Sequence, residues 1–186
     1  MKFYIILSLV AATLAGSCGQ TCCQDLKTRS AMTYHYYINT GRFVGGSGDS
    51  AIKTFGYSGS GQYRNDPASQ CIKNKGPAPA TTYKITLCKN TMHSPPVDRP
   101  CSFWIEAVDE SKMCGRSEIF IHGCQCCTNG DWTQPPVDGC SAGCVIINEA
   151  NRKKLRVGDT IVIESYDPLG EEAKFLEGYT QFVEEQ

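Results

Sequence analysis

Ile119-Phe120-Ile121-His122-Gly123 and, further on, Ser141-Ala142-Gly143-Cys144-Val145-Ile146-Ile147 are two short β-rich runs. The first ends on an imidazole and the second opens on a thiol, with only irregular sequence between them. Strand ends that pair in one sheet bring two such groups together across any length of loop. A thiol is a poor nucleophile at its free pKa of about 8.5; an adjacent imidazole removes its proton and stabilises the thiolate. Gly143 lets a carbonyl approach the main chain, and the amides of Gly143 and Cys144 are candidate oxyanion donors. Ser141 is placed to bond either the loop or a substrate. Spacing alone leaves a second reading open, because among 12 cysteines Cys144 also qualifies as a half-cystine.

Around these runs the hydrophobic period is close to two. Residues 34–38, 83–87, 102–108, 117–122, 144–147 and 160–164 read as strands, and Gly/Ser/Pro clusters at 45–50, 58–61, 76–79 and 94–100 read as turns. The expected fold is mainly β, a sandwich or barrel-like single domain with one or two short helices, reinforced by disulfides. One helix is expected over 149–155, with Arg152, Lys153 and Lys154 as a solvated basic face. A second, amphipathic one is expected from Glu171 onward, where Phe175, Leu176, Tyr179, Phe182 and Val183 recur at helical spacing. His35 and His93 have no patterned partner and read as structural or surface residues.

The chain has 186 residues, 41% hydrophobic, with a formal net charge of −1. That is enough for one ordinary core, and it gives no bulk attraction to a polyanion, which excludes nucleic-acid binding by charge. Residues 1–17 read as a secretory signal: a lysine, an apolar run too short to span a bilayer, and small residues at 15–17. No later stretch is long and apolar enough to cross a membrane, so the protein is expected to be secreted. Export to an oxidising compartment makes most cysteines disulfide partners. The expected organisation is the signal at 1–17, a cysteine-containing segment at 18–33, a catalytic domain at 34–165 and a C-terminal helix or tail at 166–186.

Several motifs in order resemble the L,D-transpeptidase catalytic domain family (YkuD-like), whose signature is a His-Gly, a loop, and Ser-x-Gly-Cys followed by Val or Ile. The resemblance is greatest to the L,D-transpeptidase-like effectors delivered by type VI secretion. It is carried by Tyr57-Ser58-Gly59-Ser60-Gly61, Asn65-Asp66-Pro67, Gly76-Pro77-Ala78-Pro79 with Tyr83 and Ile85, and Gly115-Arg116 ahead of Ile121-His122-Gly123. The match runs from about residue 34 to 155. It implies a cysteine acyl-enzyme on peptidoglycan stem peptides, acting as an L,D-transpeptidase or L,D-carboxypeptidase. Cys144 is then the nucleophile and His122 the base, with Gly143 and Ser141 completing the catalytic loop. Arg116, Gly123, Tyr57, Ser58 and Trp132 are the expected substrate-side residues. The resemblance implies no cofactor and no metal, and a monomer is expected.

This sequence departs from the family at Ala142, where many members carry a second histidine, and at Ala80, where glycine is usual. Its long loop from His122 to Cys144 also holds Cys124, Cys126, Cys127 and Cys140 with Trp132, and reads as a disulfide-stapled lid. Such cysteine loading is unusual for bacterial relatives and suggests a secreted eukaryotic protein used against bacteria. The alternatives are a zinc site in the same cysteine-rich stretch, a non-catalytic binding module with Cys144 in a disulfide, and a cell-wall amidase of the NlpC type. The last places its cysteine before its histidine, the reverse of the order here. A free Cys144 leaves eleven other cysteines, an odd number, with Cys18 the first candidate for the unpaired one.

Overall fold

The computed structural model describes residues 22, 23, 29–94, 97–124 and 141–172, without the side chains of residues 93–97. The signal, Cys18, the loop bearing Trp132, Cys126, Cys127 and Cys140, and the helix expected over Phe175–Val183 lie outside the described residues.

Among the described residues nine strands form one sheet: β1 (Thr33–Tyr37), β2 (Arg42–Gly45), β3 (Ile52–Phe55), β4 (Tyr57–Ser58), β5 (Thr82–Ser94), β6 (Val97–Ala107), β7 (Ile119–His122), β8 (Val145–Ile146) and β9 (Thr160–Glu164). Their spatial order is β3-β2-β1-β9-β5-β6-β7-β8-β4. The strands at the two ends of that order, β3 and β4, are separated in sequence by Gly56 alone. The sheet must therefore curl until its edges meet end to end, the barrel-like closure expected of a mainly β chain.

Alternation fixes the inner face. Tyr34 and Tyr36 of β1 pair in parallel with Ile161 and Ile163 of β9, and all four are buried. Tyr83, Ile85, Phe103, Ile105, Ile119, Ile121 and Val145 continue the same core across β5 to β8. β5 reaches Ser94 and β6 starts at Val97, with Thr91 opposite Pro100, so Ser94 and 97–100 of the stretch expected to be a turn at 94–100 are paired strand. Cys23–Cys88 and Cys22–Cys101 clamp neighbouring cysteines of the N-terminal segment to that hairpin, and Cys71–Cys114 ties the loop after β4 to the turn after β6. Closing loops of 79, 65 and 43 residues restricts the unfolded chain by about 4 kcal/mol each in the chain-entropy account.

Two ion pairs, one buried and one part-buried, flank the paired strands β1 and β9. Arg42 forks onto Asp167 at 2.6 and 2.7 Å, with Thr40 adding a hydroxyl at 2.9 Å. Arg29 reaches Asp159 at 2.7 Å. The helix expected over 149–155 is one turn, α1 (Glu149–Arg152), whose first amides are capped by the Asn148 side chain. Arg152 is not part of a solvated face: it is 3% exposed, and its guanidinium bonds the carbonyls of Pro100, Cys101 and Ile147. His35, read as structural, pairs with Glu164 at 2.8 Å.

Candidate active site

β7 and β8 are parallel neighbours, with Ile121 opposite Val145 and His122 opposite Ile146. Extending that register by one residue sets Cys144 beside Phe120, so the sheet itself brings the end of β7 to the start of β8. Cys144 is partly buried and carries a free thiol.

Strand alternation turns His122 away from the core face of Ile121, yet the ring is only 1% exposed. Arg99 of β6 reaches it, and the charge of Arg152 of α1 acts on it. Its Nδ1 lies 2.6 Å from the Gly123 carbonyl and its Nε2 lies 3.2 Å from Arg99 Nη1. A carbonyl only accepts, so Nδ1 carries the proton and Nε2 the lone pair. Burial pulls the imidazole pKa down to about 4; the Gly123 carbonyl opposes this, while Arg99 and Arg152 push it further down. Burial pushes the Cys144 thiol up, against the Phe120 amide and the charges of Arg99 and Arg116, with Glu118 adding to the rise. At neutral pH the resting site therefore holds a neutral thiol and a neutral imidazole.

The loop before Cys144 is braced from three sides. Ser141 Oγ donates to the Cys144 carbonyl at 2.6 Å and accepts the Gly143 amide at 3.1 Å. The Gly143 amide is thus already bonded, which departs from its expected use as an oxyanion donor. Ser58, wholly buried on β4, donates to the Gly143 carbonyl at 2.9 Å and accepts from the Ala78 amide at 2.8 Å. Arg116 directs Nη1 to the carbonyls of Gln70 and Pro77, and Nη2 to those of Gly76 at 3.2 Å and Ala142 at 3.0 Å. All four Nη protons are engaged in joining the 70–77 loop to the nucleophile loop.

Gly143 is required twice over. Its φ is +126°, and a Cβ placed there would sit 1.6 Å from Arg116 Nη2. At Gly123 a Cβ would meet the Arg152 guanidinium at 2.9 Å, which accounts for a glycine after His122. Tyr57 is buried, with its hydroxyl 3.1 Å from Cys124 Sγ. Asn65, at φ 54°, joins the Tyr36 hydroxyl, the Ser58 amide and the Gly56 carbonyl. Cys124 is disulfide-bonded, which removes it as a thiolate for the zinc alternative, and no group of three metal-ligating side chains occurs among the described residues. No helix among those residues is long and apolar enough to cross a membrane.

Two arginines at the site were not singled out by sequence pattern. Arg99 falls in the stretch read as a loop, and Arg152 in a run read as solvated. Only the β5–β6 hairpin and the burial of α1 bring them to His122.

No curated protein sequence matches the chain. Among solved structures it is similar to an L,D-transpeptidase (Yku) from Stackebrandtia nassauensis, at 19% identity and a TM-score of 0.47, covering 78% of this chain and 60% of that one. It is also similar to L,D-transpeptidase 1 of Mycobacterium tuberculosis, at 12% identity and a TM-score of 0.44, covering 72% and 61%. An L,D-transpeptidase from Mycobacterium smegmatis gives 12% identity and a TM-score of 0.43, covering 72% and 58%. The chain thus spans about three-fifths of the length of these structures. The model of the Tlde1 domain matches residues 53–165, which include β4 to β9, His122 and Cys144, and the chain belongs to the Tlde1 domain family.

Proposed function

We propose that the protein is a secreted, cysteine-dependent L,D-transpeptidase or L,D-carboxypeptidase acting on peptidoglycan stem peptides, with an antibacterial role. One observation carries the reading: a free thiol and a histidine of fixed tautomer stand at the meeting ends of two paired strands, inside a family match that spans both. The three disulfides among the described residues suit an oxidising compartment.

In this reading His122 Nε2 takes the Cys144 Sγ proton, and the sulfur attacks the carbonyl of the third stem residue. The C–N bond to the terminal D-alanine breaks, and His122 returns the proton to the departing amine. The thioester then passes to water or to another amine. Because the Gly143 amide is held by Ser141, the oxyanion falls to the Cys144 amide. Gly123 orients the base through its carbonyl. Ser141, Ser58 and Arg116 hold the loop, and Tyr57 and Trp132 are assigned to the substrate wall.

The rival reading, a non-catalytic binding module with Cys144 oxidised, is disfavoured by the free thiol. The test is to incubate wild type and Cys144→Ala with a disaccharide-tetrapeptide and follow D-alanine release or exchange by mass spectrometry. The proposal requires turnover by wild type alone; two equally inert, folded proteins across several peptidoglycan types would end it.

A further inference from the structure

The outer face of the sheet carries a row of side chains that ends at the thiol. Leu87 of β5 pairs with Trp104 of β6, and Trp104 pairs with Phe120 of β7. Phe120 stands beside Cys144, and its amide bonds the sulfur. Directly opposed residues share a face, and the residues flanking this row, Ile85, Phe103, Ile105, Ile119, Ile121 and Val145, are all buried in the core. Leu87, Trp104, Phe120 and Cys144 therefore lie together on the opposite face.

Much of this row is open to solvent. Leu87 is 46% exposed, and Trp104 and Phe120 are half-buried. The two rings meet edge to face with centroids 4.7 Å apart, and Lys89 Nζ lies 5.8 Å over the Phe120 ring. The Trp104 indole N–H donates to nothing among the described residues. Across β8 from the thiol, Tyr57 and Ser58 are buried, and along the strands so are His122 and Ser102. The exposed apolar row thus leaves Cys144 on the β7 side.

We infer that this row is a glycan subsite, which takes the N-acetylated amino sugar bearing the stem peptide. Neighbouring strands lie about 4.8 Å apart, so Trp104 stands about 10 Å and Leu87 about 14 Å across the sheet from Cys144. An extended peptide advances about 3.4 Å per residue, and the three residues ending at the attacked carbonyl also span about 10 Å. A stem laid across β7 from Cys144 therefore ends at Trp104 and delivers its sugar over Trp104 and Leu87. A pyranose presents an apolar face of C–H groups that packs on an aromatic ring, and its acetamido carbonyl accepts the unused indole N–H. Lys89 sets a cation beside the path, which suits the carboxylates of a stem peptide. The subsite makes the enzyme selective for stems still joined to their glycan. It rests on the stem-peptide reading above and adds to it the recognition of the sugar.

The first arm reads binding without turnover. The chain has two tryptophans, so in a Cys144→Ala, Trp132→Phe double variant the indole emission comes from Trp104 alone. It is titrated with disaccharide-tetrapeptide, with free tetrapeptide and with the free disaccharide of N-acetylglucosamine and N-acetylmuramic acid. The sugar-bearing ligands are expected to shift the emission and the free tetrapeptide to leave it in place. An emission that no sugar-bearing ligand moves, or that the free tetrapeptide moves equally, overturns the subsite. The second arm compares D-alanine release from disaccharide-tetrapeptide and free tetrapeptide in wild type, Trp104→Phe and Trp104→Ala. Wild type is expected to prefer the sugar-bearing substrate by about tenfold in kcat/KM, Trp104→Phe to keep part of that preference and Trp104→Ala to lose it. The ratio is taken within each variant, so a folding loss that lowers both rates leaves it unchanged. Cys144-dependent release that ignores the sugar, or a preference that survives in Trp104→Ala, refutes the subsite alone. A Trp104 response to the disaccharide without any D-alanine release by wild type supports the subsite and refutes the stem-peptide reading.

Discussion

Acid should destabilise this protein through His122 before its carboxylates titrate. The folded imidazole protonates only near pH 4, whereas in the unfolded chain it does so near its ordinary 6.5. Between those values the unfolded state binds more protons, so stability rises with pH across the window and is lost as pH falls through it. At about 1.4 kcal/mol per pH unit, lowering the pKa from 6.5 to about 4 corresponds to roughly 3 kcal/mol, most of it gone by about pH 4. The ring is 1% exposed, so solvent screening reduces this little. The assay is urea unfolding with disulfides intact, from about pH 7 to about pH 4, for wild type and His122→Gln. Whatever the glutamine costs outright, the wild-type curve must fall more steeply by about 3 kcal/mol over the window. Parallel curves would show that the histidine is not buried neutral, and with it would go the neutral thiol–imidazole resting pair.

Gly143→Ala should abolish catalysis while the protein stays folded: the Cβ meets Arg116 Nη2 at 1.6 Å and φ is +126°, a strain of about 1–3 kcal/mol borne by the nucleophile loop. Turnover and a thermal melt check it, and an active alanine variant would contradict the Arg116 brace. Arg42→Ala strands the buried Asp167 carboxylate and should cost about 3–5 kcal/mol in urea unfolding without altering iodoacetamide reactivity at Cys144.

Strands with regular alternation were legible in the sequence. Tyr34 and Tyr36 in β1, Tyr83 and Ile85 in β5, and Ile161 and Ile163 in β9 declare their inner face by spacing alone. β2, β3 and β4 were not, because two to four residues flanked by glycines carry turn composition and gain their pairing only from neighbours across the sheet. The second half of the β5–β6 hairpin was hidden by prolines at its far end.

The site divides in the same way. His122 and Cys144 could be read as a pair because each sits at the end of an apolar run, and parallel pairing of those runs is a local matter. Arg99 reaches His122 only through hairpin geometry, and Arg152 bonds Cys101 from 51 residues away. Ser58 and Ser141 stood out as polar residues beside the motif. Their hydroxyls bond the main chain of the nucleophile loop, which no spacing rule foretells.

The central claim is that Cys144 forms a covalent acyl intermediate. The most direct measurement is intact-protein mass spectrometry of a reaction with disaccharide-tetrapeptide quenched in acid, followed by peptide mapping. The account predicts one added mass equal to the substrate less D-alanine, located on Cys144 and absent from Cys144→Ala. D-alanine release by Cys144→Ala, or an unmodified, alkylatable Cys144 in wild type that releases none, would contradict it.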